Sequence, residues 1–343
     1  MSAARPPAAE SGPARLPRLD GTAWLVVGGA GYIGAHVVQA LAGHGARCVV
    51  LDDLSTGRRA RVPAGVPLVV ADAADARTVA ATAREHGIEG VVHLAALKQA
   101  RESVREPLRY WRVNLGAVLG TLEGLQGSRA RWFVFSSSCS VYGHAGEVTP
   151  ATPLAPISPY GHTKAVGEQV LADCCPAQGL SHAALRYFNV VGNGAFPEAA
   201  DMAGEGLVPC LARRLLAGQP VQVNGRDFPT RDGSAVRDYV DVRDLAEAHA
   251  LAGRALRAGQ RLPPLDISTG TPSSVLEVVA TLGQVTGRAV AVEDRPRLAG
   301  DPAEVWAHSA QARALLGWEP RHTLADSLRS HWQAVQAALP AGR

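Results

Sequence analysis

Cysteine is scarce and unpatterned. The five present, Cys48, Cys139, Cys174, Cys175 and Cys210, are odd in number, and none stands at C-x-x-C spacing. That excludes a disulfide framework and a zinc ribbon, and it suits reduced thiols in a cytoplasm. The eleven histidines are scattered without a metal-ligand pattern, so no metal is expected. Charge of one sign is missing as well. The 34 Lys and Arg against 31 Asp and Glu leave +3, too little and too dispersed for nucleic acid. No apolar run is long enough to span a bilayer, so no membrane partner is expected. Met1 to Arg18 is rich in Pro, Ala and Arg and lacks a hydrophobic centre, so it does not read as a secretory signal. Residues 1–20 are read as a disordered extension.

What is there is a globular composition, 47% hydrophobic and 19% charged over 343 residues, enough for one large domain or two closely packed ones. Ala23-Trp24-Leu25-Val26-Val27 reads as a strand. It runs into Gly28-Gly29-Ala30-Gly31-Tyr32-Ile33-Gly34 and then a helix through Val37, Val38 and Leu41. A glycine turn between an apolar strand and a helix marks a dinucleotide site. Gly28 allows the tight turn, Gly31 lets backbone approach a pyrophosphate, and Gly34 lets helix and strand pack. The helix N-terminus faces the phosphates. A second strand, Arg47 to Leu51, ends in Asp52-Asp53, where a carboxylate binds ribose hydroxyls and repels a 2′-phosphate. NAD is therefore expected over NADP.

The alternation continues with strands at Val66–Ala71, Gly90–Ala96, Arg131–Phe135 and Ala183–Phe188, and helices at Ala76–His86 and Pro107–Leu125. Asp72 ends the third strand, placed to meet an adenine edge, and Ala95 ends the fourth with room for a cofactor. This order predicts an α/β fold: a Rossmann doubly wound, mostly parallel sheet, with a smaller C-terminal α/β substrate lobe. Residues 21–188 form the NAD-binding domain. Residues 189–343 are mainly the substrate lobe, with elements near 235–270 returning to complete the first domain. Helices are expected at Val208–Leu216, Asp241–Leu256, Ser273–Val285 (capping box to Glu277), Ala310–Leu316 and Leu324–Leu339.

Ser158-Pro159-Tyr160-Gly161-His162-Thr163-Lys164 is the candidate catalytic stretch. Pro159 suits the first turn of a helix, and Tyr160 and Lys164 then leave one face, a turn apart. At ~6 Å and an effective dielectric of ~20 their Coulomb interaction is about 2.8 kcal/mol, or about two pKa units on the phenol. That would bring Tyr160 toward the range of a general base.

Gly28-x-x-Gly31-x-x-Gly34, Phe135-Ser136-Ser137-Ser138, Val141-Tyr142-Gly143, Tyr160-x-x-x-Lys164, Arg186-Tyr187-Phe188-Asn189 and Val236-Arg237-Asp238-Tyr239 follow one another in an order that resembles the extended short-chain dehydrogenase/reductase family. Leu97-Lys98, Glu102-Ser103-Val104 and Asp227-Phe228-Pro229-Thr230-x-Asp232-Gly233 are most similar to its UDP-glucose 4-epimerases. The resemblance runs from about Trp24 to the last helix. It implies a nucleotide-diphospho-sugar substrate and C4 inversion through a 4-keto sugar with bound NAD. Tyr160 is implied as base, Ser138 as its hydrogen-bonding partner on the sugar oxygen, and Lys164 as the group that binds the nicotinamide ribose and lowers the Tyr160 pKa. Tyr32, Ile33, Asp53, Lys98, Asn114 and Tyr187 join the implied cofactor set. Asn189, Leu207, Asn224, Arg237, Asp301 and Val305 form the substrate set. A homodimer through the Leu108–Leu125 and Tyr160 helices is implied too.

The same positions argue against dehydratases, which carry an Asp-Glu pair where this chain has Cys139 and Ser140. The sequence departs from the epimerase pattern at Asn224 (for Phe), Gly206 (for Asn) and Leu298 (for Arg), with Arg297 beside it. It also has Val305 where some members carry an aromatic. These changes point to a specialised 4-epimerase taking another nucleotide (GDP, CDP or dTDP) or a bulkier sugar. A nucleotide-sugar oxidoreductase with exchangeable NAD and a non-catalytic NAD-binding sensor are the competing readings.

Overall fold

The computed structural model describes residues 16–194, 204, 206–298 and 300–338. In chain order the first half comprises β1 (Ala23–Val27), α1 (Tyr32–Gly43), β2 (Arg47–Asp52), β3 (Leu68–Val70), α2 (Ala76–Glu85), β4 (Gly90–His93), α3 (Ala100–Arg105), α4 (Pro107–Leu125) and β5 (Trp132–Ser138). Next come β6 (Gly146–Val148), α5 (Pro159–Ala177), β7 (Ser181–Tyr187), β8 (Asn189–Val191), α6 (Leu207–Leu216), β9 (Val221–Asn224), β10 (Val236–Arg237) and β11 (Tyr239–Asp241). The chain ends with α7 (Val242–Arg257), β12 (Leu265–Ile267), β13 (Ser273–Ser274), α8 (Val275–Thr286), β14 (Val292–Arg295), β15 (Glu304–Ala307), α9 (Ala310–Leu316) and α10 (Leu324–Ala337).

Seven strands form one sheet in the order β12-β7-β5-β4-β1-β2-β3, and every pairing is parallel. A parallel sheet covered on both faces needs strands that are apolar on both sides. Alternate residues divide accordingly. Trp24, Val26, Val50, Val92 and Val134 face α1 and α7, while Leu25, Val27, Val49, Val91 and Phe133 face α2, α4 and α5. Elements at 242–267 close this domain, α7 packing on α1 and β12 taking the edge beside β7. A separate apolar cluster joins α6, β9, α8 and α10, and a small mixed sheet, β13-β10-β15-β6, lies beside it.

Boundaries differ from expectation for physical reasons. The strand expected over Gly90–Ala96 stops at His93, because Leu94 and Ala95 both turn their N–H groups onto the Val27 carbonyl. The helix expected from Ser273 starts two residues on, at Val275, with Ser274 as cap and the full box to Glu277. Helix α3 was not anticipated. It is too short for its period to register. The extension expected as disordered over 1–20 is ordered from Leu16. Leu19 is fully buried, and Arg254 and Arg257 of α7 bond the carbonyls of Leu16, Pro17 and Arg18. Residues 1–15, and Leu339 at the expected end of the last helix, lie outside the described residues. Leu19→Ala should lower unfolding stability by about 2–4 kcal/mol in urea titration. An unchanged midpoint would mean that this segment adds nothing to the core.

Candidate active site

The glycine turn is built by close approach. Gly28 has φ +83°, and a Cβ there would stand 2.7 Å from the Ala95 nitrogen. A Cβ on Gly34 would overlap the Gly28 carbonyl oxygen. Gly31, the N-cap of α1, has no capping side chain, and no acid occupies the first turn. A Cβ on Gly31 would meet only the Gly28 oxygen, at 3.2 Å. An uncapped helix start with no acid in its first turn is suited to a pyrophosphate. Ile33 packs on the core, and the Tyr32 hydroxyl donates to the Gly192 carbonyl at 2.6 Å.

Asp52 ends β2 beside this turn. Its carboxylate accepts from Ala30 N and from Leu54 N, both at 2.9 Å, and Leu54 takes a left-handed φ of 61° to donate. Burial raises this carboxyl while the two N–H groups oppose the rise. Asp52 thus fastens the glycine turn to the sheet and keeps lone pairs for a ribose. Asp53 and Asp72 are exposed and close local turns, accepting from Ser55 and from Ala74 N. Ala95 follows β4, and Lys98 is exposed. Asn114 is buried. It accepts from Leu97 N at 2.8 Å and donates to Leu97 O and to Thr163 Oγ1 at 3.1 and 2.9 Å. It braces the loop after β4 against α5.

Ser158 caps α5 through Gly161 N, and Pro159 fills its first position. Tyr160 and Lys164 are both buried and face the end of β5. The Ser138 side chain lies beside the Tyr160 phenol, and its hydroxyl donates to Ser140 Oγ at 3.2 Å. The Lys164 ammonium donates to the Ser136 carbonyl at 2.7 Å and lies 4.9 Å from the Phe135 ring centroid. One expectation needs correction. Lys164 stands 6.0 Å from the Tyr160 ring centroid, yet the phenol is pushed above its ordinary value. Burial is the main cause and the neighbouring Tyr187 the next; both outweigh the lysine. Burial also brings Lys164 down to about 8.

Tyr187 ends β7, its phenol pushed up to about 12 by burial. Asn189, partly buried, opens β8, where its N–H bonds Asp238 O. Arg237 lies on β10 with its guanidinium already engaged by the carbonyls of Val236 and Pro302, both at 2.7 Å, and by Asp301 at 3.5 Å. Cys139 connects the two sides. Its partly buried thiol, near Arg237, is raised to about 12 by desolvation, which leaves it neither acid nor nucleophile. Leu207 opens α6, and Asn224 ends β9. Arg297 stacks 4.2 Å over the Phe228 ring and bonds Asp227 at 2.5 Å, so it is committed to that loop. Val305 is 4% exposed and packs with Val141, Tyr142, Val148 and Phe188. The space beside this small residue is filled from within the chain.

One partner of this site, Glu168, escaped sequence reasoning. Glu168 lies one further turn along the Tyr160–Lys164 face, and that four-residue spacing was the available signal. It accepts from Ser137 at 2.5 Å and from both Arg186 Nε and Nη2. The negative charge of Glu168 lifts the Lys164 pKa against the burial that depresses it. The Lys164 ammonium is lost as pH rises through about 8. Removing the charge should move that loss to lower pH. Glu168→Gln is therefore expected to shift the descending limb of any activity profile toward acid, and a limb unmoved from wild type would refute the coupling.

Residues 24–266 match the model of the NAD dependent epimerase/dehydratase family. The chain is 40% identical over 334 residues to UDP-glucose 4-epimerase of Azospirillum brasilense, covering 93% of this chain and 95% of that one. It is 37% identical to the UDP-glucose 4-epimerase of Lactobacillus helveticus, over 89% and 94%. Among solved structures, UDP-glucose-4-epimerase from Stenotrophomonas maltophila, with bound NAD and formylated UDP-arabinopyranose, superposes with a TM-score of 0.88. It shares 37% identity and covers 92% of this chain and 98% of that one. With the parallel sheet, the glycine cradle and the Ser138–Tyr160–Lys164 cluster already in place, these matches make the chain a member of the NAD dependent epimerase/dehydratase family.

Proposed function

We propose that the chain inverts C4 of a nucleotide-diphospho-sugar, with UDP-glucose and UDP-galactose as its first candidate substrates. The buried Tyr160 and Lys164 on one face of α5, with Ser138 beside the phenol and the glycine turn that opens α1, carry this reading. The Tyr160 oxygen takes the proton of the sugar 4-hydroxyl as C4 becomes a ketone and returns it on reduction. Ser138, at the end of β5 beside Tyr160, holds the same sugar oxygen. Bound NAD supplies a hydride acceptor that gives the hydride back, and a positive ring that favours the phenolate. The residues assigned to hold it are Gly28, Gly31, Tyr32, Ile33, Gly34, Asp52 and Ala95, with Asn114 and Tyr187 as supports. Arg237 suits the diphosphate, because a guanidinium fork matches phosphate oxygens. Dehydration is disfavoured, since neither Cys139 nor Ser140 can act as a carboxylate.

Asn224 supports a comparison of bases. An amide at the end of β9 offers hydrogen bonds where a ring would offer stacking, and Gly206 and Leu298 are small or apolar. The five thiols are free, which fits a reducing cytoplasm. A second copy of the chain is the proposed partner. Leu108 and Leu119 are exposed on one stripe of α4, with Trp111 and Leu115 between them, and Val166 is exposed on the adjoining α5. Pairing these stripes across a two-fold axis gives a four-helix contact.

Holoenzyme incubated with UDP-, dTDP-, GDP- and CDP-sugars, without added reductant, is expected to give C4 epimers by NMR. Conversion that consumes stoichiometric NADH would replace this reading with a net oxidoreductase. Tyr160→Phe should lower kcat by roughly 10²–10⁴-fold, and wild-type turnover in that variant would end the proposed mechanism. Leu119→Glu should turn a dimer into a monomer in sedimentation equilibrium; an unchanged mass would discard the helix stripe as the interface.

A further inference from the structure

Tyr32 and His36 stand one turn apart on α1, and both are buried. Both reach the chain that leaves β8. The Tyr32 hydroxyl donates to the Gly192 carbonyl at 2.6 Å, and Gly194 N donates to His36 Nε2 at 2.8 Å. Between them, Asn193 N donates to Ser330 Oγ of α10 at 3.1 Å. Three consecutive residues are thus tied in alternation to the helix that opens at the glycine turn and to the last helix of the other lobe. They directly follow β8, whose first residue is Asn189. That strand pairs only with β11, in a two-stranded ladder outside the seven-stranded sheet.

The contact is close and its polarity is fixed. Gly192 takes φ +90°, and a Cβ there would stand 2.6 Å from Asp241 Oδ2. A Cβ on Gly194 would stand 2.8 Å from His36 Cδ2. His36 Nδ1 lies 2.9 Å from the Tyr32 carbonyl. A carbonyl only accepts, so Nδ1 carries the ring hydrogen. A backbone N–H only donates, so Nε2 is bare where Gly194 meets it. The ring is therefore neutral, and both of its nitrogens are engaged. It stands as a rigid strut between the first turn of α1 and Gly194.

We propose that His36, with Tyr32, is a positioning residue for the substrate: it locks Gly192 to Gly194 onto α1 and so holds Asn189 in place before the nucleotide-sugar arrives. The inference rests on the proposed role of Asn189 in holding that substrate. A short strand with one neighbour and an untied exit has to be ordered by the ligand itself, and that ordering costs affinity. Tyr160 and Lys164 are set separately, by α5 and the β5 carbonyl. Loss of the lock therefore falls on substrate binding and leaves the chemical step in place.

Two variants of the holoenzyme test this. His36→Leu removes the acceptor, and His36→Gln keeps an acceptor oxygen for Gly194 N. His36→Leu should raise KM for UDP-glucose, and Kd for UDP in calorimetry, roughly five- to tenfold, on the scale of one hydrogen bond. Its kcat should stay within about twofold of wild type. Amide hydrogen exchange over 189–194 should quicken in the same variant, and His36→Gln should restore most of each change. Wild-type KM and Kd in His36→Leu overturn the inference. So does a pair of variants that lose kcat and thermal midpoint together while KM stays in place. If His36→Leu does not fold, Tyr32→Phe, which removes only the hydroxyl on Gly192, decides by the same KM and exchange readouts. Asn189→Ala, assayed in parallel, separates the two levels. Wild-type KM in Asn189→Ala removes the parent assignment, whereas a raised KM there beside an unaltered His36→Leu removes only this one.

Discussion

A buried ammonium holds this site together. Lys164 is 4% exposed, with the Ser136 carbonyl as its hydrogen-bond acceptor and Glu168 as the negative charge that supports it. An ion out of water is tolerable only when its partners are fixed. Fixing them dictates much of the local fold. The Ser136 carbonyl is fixed by the β5 ladder between β4 and β7. Glu168 is fixed by Ser137 on β5 and by Arg186 on β7, a short buried pair at 2.5 Å. Arg186 in turn meets Tyr142, which donates to Asp266 on β12 at 2.8 Å. Burial lifts the Asp266 carboxyl to about 6. Three neighbouring strands and α5 are thus joined through one chain of charges, and none can shift without exposing a charge to an apolar interior.

That arrangement requires α5 to lie close against the sheet, and glycine makes it possible. A Cβ on Gly167 would stand 2.8 Å from the Phe135 ring, and one on Gly161 would stand 2.5 Å from the Ser140 carbonyl. The same solution recurs at α1, where Gly34 meets Gly28. Two helices, one presenting the base and one presenting its N-terminus, are seated by missing side chains. The glycine pattern of the sequence is therefore a record of helix-to-sheet distance as well as of turn geometry.

The fold class, and the placing of Tyr160 and Lys164 on one helix, were legible because both are local patterns. Strand, glycine turn and helix repeat within short windows, and α4 begins and ends at the residues read from its apolar spacing and Pro107. Tyr160 and Lys164 stand on one turn of one helix. The bonds that set their chemistry are not local. Ser136 meets His249 across 113 positions, and Tyr142 meets Asp266 across 124. No spacing rule reaches that far. Burial was illegible for the same reason, and it reversed the expected direction of the Tyr160 shift. The Coulomb estimate had the right distance and omitted the larger cost of placing a phenolate in a dry interior. Leu19 is a third case. A segment rich in Pro and Ala reads as disordered, yet two arginines on α7 donate to the carbonyls of Leu16, Pro17 and Arg18.

The two sides of the site are built on different physical terms. The cofactor side rests on backbone: helix amides, a parallel ladder and Asp52 fastened to the glycine turn. Such groups tolerate little change, because each is fixed by the sheet itself. The substrate side rests on side chains at the ends of short elements, β9, β10 and β15, each of four residues or fewer. Arg237 is held there by carbonyls of Val236 and Pro302 and by Asp301, so its direction is set before any phosphate arrives. Leu207 packs against the cluster of α6, β9, α8 and α10, and Asn224 pairs with Arg295 on β14. Reaction and specificity are therefore separable in this chain. On the proposed assignment, the parallel sheet and α5 hold Tyr160 and Lys164, and the residues proposed for the substrate stand on the short elements beside them.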